Sequence, residues 1–186
     1  MGLISRVAES KDEMSRYQKQ YILELNSALD SLDNCSSSYD LLAVLVSWLS
    51  SNDYIINEFK KLGYDFSKYL IMDAKDYPVE KSLLNGEEMI YFRNNIRRKI
   101  TSGYFRFTYF VQYLRDTLEH LFIEHIEKTC PSCEWGEMQI LEEQDTHQVV
   151  YMCTQCGAAF YANNSRFTAE KSLMIPMKAK RLTMPA

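Results

Sequence analysis

Two sets of residues in this chain are of types and spacings that do chemistry. Cys130, Cys133, Cys153 and Cys156 form two C-x2-C pairs separated by nineteen residues. Two thiolates three positions apart can bind one metal ion while nearby backbone amides support the sulfurs, and two such pairs complete a tetrahedral site. Cys130-Pro131-Ser132-Cys133 alone would also suit a redox dithiol, but the matched second pair favours metal. Zn2+ fits four thiolates best, at one ion per chain. With all four ligands from protein, no position stays open for a substrate, so the ion is expected to be structural.

The second set is Arg115, Asp116 and His120, the polar part of the run Arg115-Asp116-Thr117-Leu118-Glu119-His120. RNA can be cut by its own 2'-hydroxyl attacking the adjacent phosphorus, which needs proton transfer and stabilisation of a more negative transition state. His120 suits the first task because imidazole titrates near neutrality. Arg115 suits the second as a fixed cation with forked donors. Asp116 lies four residues before His120, where on a helix its carboxylate could orient the ring. On such a helix Arg115 and His120 project about 140° apart, so a site built across a homodimer makes better sense than one within a single chain. The rival is a surface ladder joining Asp116 to His120, Arg115 to Glu119 and His120 to Glu124. A helical metal site from His120, Glu124 and His125 is disfavoured, because His125 would point well away from His120.

These elements must be held by a largely helical scaffold. Only 6 Gly and 4 Pro in 186 residues leave few hairpin turns. Met14, Tyr17, Tyr21, Leu25, Leu29 and Leu32 make one stripe of an amphipathic helix. Asn34 to Ser38 reads as a turn holding Cys35, a thiol packed as a small hydrophobe. Ser37 and Asp40 resemble a capping box that opens an apolar, central helix over 38–50. A third helix starts at Asn52 or Asp53 and stops at Gly63. Residues 64–85, broken by Pro78, are expected to form short turns. Gly86 leads into a helix with Met89, Phe92, Ile96 and Ile100 inward, and Thr101-Ser102-Gly103 breaks it. One long helix from Tyr104 to Lys128 or Thr129 then runs straight into the first cysteine pair. Two strands, 138–141 and 148–152, are expected between the pairs, with the turn at 142–146.

In a helical bundle, R-D-x-x-x-H on a late helix resembles the HEPN family (higher eukaryotes and prokaryotes nucleotide-binding), whose ribonucleases carry R-x4-6-H. That resemblance implies a metal-independent endoribonuclease acting across a symmetric dimer, of the kind found in toxin–antitoxin and antiphage systems. The cysteine pairs, with VVYMCTQCGAAFY as second knuckle and closing strand, resemble the zinc-ribbon family. The expected fold class is therefore mainly α: an N-terminal bundle of about five helices over residues 1–128, a small β zinc ribbon over 129–163, and a basic, partly mobile tail over 164–186.

Charge divides unevenly along the chain. Arg93, Arg97, Arg98, Lys99, Arg106 and Arg115 fall in a stretch with no acidic residue and many aromatic rings. Such a surface suits RNA, with cations for phosphates and ring faces for bases; the alternative is core rings beside a solvated basic face. The ribbon has the opposite character, with Glu134, Glu137, Glu142, Glu143 and Asp145 and no Lys or Arg. It repels phosphate and suits a protein partner. Two non-nuclease readings follow: a non-catalytic adaptor or immunity-type protein whose ribbon docks on a basic partner, and an RNA polymerase-associated factor working through Glu142, Glu143 and Asp145.

The net charge of -4 argues against a general polyanion binder. The longest apolar run, Leu41 to Leu49, is too short for a membrane span, and the N-terminal stretch lacks the apolar centre of a signal peptide. Paired thiols suit a reducing compartment, so a cytoplasmic protein is expected.

Overall fold

The computed structural model describes residues 16–33, 36–82, 84, 87–101, 106–168 and 174–179. Met14, Asn34 and Cys35 of the expected turn, Gly86, the Ile100 side chain, Ser102 and Gly103 of the expected break and the expected helix start at Tyr104 lie outside them, whereas Thr101 of that break is still helical. The chain divides into two compact units. The first comprises Met1–Ile71 and Gly86–Thr117; the second comprises Met72–Asn85 and Leu118–Ala186.

The first unit is helical: α1 Arg16–Leu29, α2 Ser38–Ser50, α3 Asp53–Lys61, α4 Ser67–Ile71, α5 Glu87–Thr101 and most of α6 Phe107–Phe122. The Ser37 hydroxyl accepts from the Asp40 amide (3.2 Å) while the Asp40 carboxylate accepts from the Ser37 amide (2.6 Å), so both halves of the capping box form. After α3, Gly63 adopts φ 86 and the Tyr64 amide reaches back to the Phe59 carbonyl (3.0 Å), a glycine-dependent helix stop. α1 buries Ile22, Leu25 and Leu29, whereas Tyr17 stays exposed. α2 is buried through Leu41, Leu42, Leu45, Trp48 and Leu49, and the Trp48 indole donates to the Tyr21 carbonyl at 3.1 Å. Ring packing fills the centre: Phe59 lies 4.7 Å from Phe66 and 5.7 Å from Phe107, and Phe110 meets Trp48 edge-on. Three of the rings of the basic, aromatic stretch, Phe92, Phe107 and Phe110, are thereby core.

The second unit is built on a sheet. Two 3-10 turns, Ala74–Asp76 and Val79–Lys81, and the last turns of α6 accompany β1 Glu124–Ile126, β2 Met138–Glu143, β3 Val149–Cys153, β4 Ala159–Tyr161 and β5 Met174–Pro176. All pairings are antiparallel, in the order β1-β2-β3-β4. β5 shares one side of β2 with β1: β1 pairs with Met138 to Ile140 and β5 with Leu141 to Glu143.

This corrects the expected fold class. The protein is not a mainly α chain with a small ribbon, because the described residues carry, besides six helices, a five-stranded antiparallel sheet in the C-terminal half. Two pieces of sequence change role. The long helix does not reach Lys128; it ends at Phe122, where the Ser82 hydroxyl donates to the His120 carbonyl (3.0 Å), and Glu124 to Ile126 become a strand. The tail expected to be mobile supplies buried Phe167 and strand β5. In both places the backbone groups gain partners on β2 that local periodicity does not reveal. No helix among the described residues is long and apolar enough to cross a membrane.

Candidate metal centre

The two cysteine pairs sit on matching turns placed by the β2–β3 ladder. In the first, Glu134 N–H donates to the Cys130 carbonyl (3.0 Å); in the second, Gly157 N–H donates to the Cys153 carbonyl (3.1 Å). Met138 at the start of β2 pairs with Cys153 at the end of β3, and the Thr154 amide donates to the Glu137 carbonyl (3.0 Å). Registry of one hairpin therefore carries one knuckle against the other.

The four sulfurs lie within 4.8 Å of one another, with Cys130 Sγ 3.7 Å from Cys156 Sγ and Cys133 Sγ 3.6 Å from Cys153 Sγ. Sulfurs held at about 2.3 Å from one tetrahedral ion stand roughly 3.8 Å apart, whereas a disulfide would bring them to about 2 Å. The four cysteines are free thiols, and the cluster could hold a metal ion. Backbone amides aim at the sulfurs: Ser132 N–H at Cys130 (3.3 Å), and Gln155 and Cys156 N–H at Cys153 (3.4 and 3.5 Å). Burial opposes ionisation of Cys153, yet those two amides and the Cys130 and Cys133 thiols bring it down to about 6. Buried Cys130, Met138 and Cys153 pack with Ile126, Tyr151 and Phe160 behind the centre.

Gly136 is a residue that sequence reasoning missed. A Cβ on it would stand 2.2 Å from Cys153 Sγ, so the first knuckle's backbone is pressed against a ligand of the second. Its signal was one glycine three residues after Cys133, matched by no glycine at the corresponding place after Cys156.

The Arg115, Asp116 and His120 set falls across the division between the units. In the first unit, Arg115 donates through Nε and Nη2 to Asp116 Oδ1 (3.0 and 2.5 Å), and its guanidinium lies over the Tyr64 ring at 5.4 Å. Asp116 thus serves its neighbour. In the second unit the His120 ring meets the His125 ring edge-on at 5.5 Å. A continuing helix would have kept these rings apart; the strand after Phe122 brings them together. Both ring nitrogens of His125 are buried with no hydrogen-bond partner. Burial, and then the nearby His120, lower its pKa to about 4.

The three arginines of α5 are engaged within the chain. Arg93 donates to the Leu32 carbonyl (2.5 Å), Arg97 pairs with Asp30, and Arg98 donates to Asn95 Oδ1 (2.8 Å). Arg106 lies over Tyr109 at 5.7 Å; the Lys99 side chain lies outside the described residues. The acidic residues of the expected turn at 142–146 are likewise engaged, and the first two of them lie on β2 rather than in the turn, because Glu142 pairs with Val149 and Glu143 with Met174. Glu142 and Glu143 are 5% and 7% exposed; Glu142 binds His147 Nδ1 (2.5 Å), and Glu143 accepts from Thr146 and from the Tyr161 hydroxyl (3.3 Å). Asp145 is the carboxylate of that turn left at the surface.

No protein-family model, curated protein or solved structure matches the chain.

Proposed function

We propose that the four cysteines hold one structural zinc ion and that the protein is a non-catalytic adaptor whose C-terminal unit binds a protein partner. One observation carries this reading: four thiols already spaced for a tetrahedral ion fill its coordination sphere, so the ion stabilises the fold and leaves no position for a substrate. The engagement of Asp116 by Arg115, and of the α5 arginines by Asp30, Asn95 and the Leu32 carbonyl, favours scaffold over active site. Paired thiols of this kind suit a reducing, cytoplasmic setting.

A second reading, metal-independent RNA cleavage of the HEPN kind, is favoured by the His120–His125 ring pair. There His120 would move the proton, and a homodimer would supply Arg115 from a second copy. Both readings meet in one experiment on zinc-loaded protein. Single-stranded RNA is incubated without added divalent metal, using the wild type and His120→Ala. The adaptor reading expects no cleavage by either. Cleavage by the wild type that disappears in the variant, leaving a cyclic phosphate end, would replace it with the nuclease reading.

A further inference from the structure

The least covered large ring on the described surface is Trp135, 90% exposed and two residues beyond the ligand Cys133. Tryptophan is rarely left so open, and this one stands on backbone that the metal centre fixes on both sides. It lines a cleft with Glu127, Lys128, Thr129, Glu134, Gly136 and Glu137. All three carboxylate residues of that cleft are exposed. Its one cation, Lys128, already lies over the Tyr151 ring at 4.7 Å and reaches Asn164 Oδ1 at 3.4 Å.

We propose that Trp135 with Glu127, Glu134 and Glu137 forms the docking surface for an arginine-bearing segment of a partner protein. This rests on the adaptor reading and names its partner chemistry. A planar guanidinium can stack on an indole face while its edge donates to carboxylates, and this cleft is lined by both kinds of group. Lysine can supply the charge but neither the plane nor the fork. A nucleic-acid strand would meet three carboxylates where it needs cations.

The test uses the zinc-loaded full chain and a synthetic peptide alternating arginine with glycine, titrated by calorimetry and by the Trp135 indole N–H resonance. Trp48 is buried, so the two indoles report separately. Binding should shift the Trp135 resonance, and a lysine–glycine peptide should bind several-fold more weakly. Trp135→Ala should weaken the arginine peptide at least tenfold, as should Glu134→Gln combined with Glu137→Gln. Asp145→Asn, which removes a charge elsewhere in the unit, should leave binding as it was. Unchanged affinity in Trp135→Ala with full zinc content would overturn the proposal, as would an RNA oligonucleotide that shifts Trp135 as strongly as the peptide. Failure of the adaptor reading shows separately, as His120-dependent RNA cleavage, and needs no peptide.

Discussion

Glu134 and Gly157 occupy equivalent places, each four residues after the first cysteine of its knuckle, and both adopt left-handed backbone, with φ 59 and 69. The second knuckle meets this need with glycine, whereas the first forces an L-residue into it. A left-handed residue with a Cβ costs roughly 1–2 kcal/mol, offset in part by the greater chain entropy glycine loses on folding. Glu134→Gly should therefore raise stability by about 0.5–1 kcal/mol, and Gly157→Ala, whose added Cβ meets nothing within 4 Å, should lower it by about 1 kcal/mol. Denaturant midpoints on zinc-loaded protein decide; a destabilised Glu134→Gly would mean the glutamate side chain contributes more than its backbone strain removes.

Gly136 makes a sharper demand, for space rather than for conformation. With a Cβ only 2.2 Å from Cys153 Sγ, Gly136→Ala must displace a ligand sulfur. Zinc affinity, measured by chelator competition, should fall at least tenfold, about 1.4 kcal/mol. An alanine variant with wild-type affinity would show that the knuckles approach less closely in solution.

Cys153→Ser removes a ligand and should abolish stoichiometric zinc and destabilise the chain by several kcal/mol, since binding of a structural ion is folding free energy. Elemental analysis alongside thermal unfolding checks both. A metal-free variant as stable as the wild type would rule out a structural role.

His125 predicts an acid-sensitive window. Its pKa is about 4 in the fold and near 6.5 when exposed, so the unfolded chain takes up the proton first. The stability from keeping His125 neutral is complete above about pH 6.5 and is lost as pH falls toward 4. The ring is only partly buried, so screening reduces the effect to on the order of 1–2 kcal/mol. His125→Phe should flatten the stability profile between pH 6.5 and 4. An unaltered slope would assign that dependence to other groups.

At the start of α2, Ser37→Ala removes the side chain that accepts the Asp40 amide and should cost about 1 kcal/mol. Urea unfolding reads this directly, and a loss near zero would mean water replaces the cap.

How much of this was legible in the sequence differs by element, and for physical reasons. Helix starts and stops were local matters: Ser37 with Asp40, and Gly63 after Lys61, act through hydrogen bonds spanning only a few residues. The cluster of four thiols was also legible, because two thiols three apart share a turn whatever surrounds them. The extent of the sheet was not. Glu124 to Ile126 continue a helical pattern of side chains, and only pairing with β2 makes them a strand. Met174 to Pro176 are too few to show a period, and their partner lies more than thirty residues earlier in the chain. The same distant contacts decided the candidate chemistry. The sequence placed Asp116 and His120 on one helical face and His125 away from it. The end of α6 at Phe122 instead set His125 against His120, while Asp116 turned to Arg115. Residue type and short spacing determined which groups could bind or react; partners brought in from far along the chain determined which of them meet.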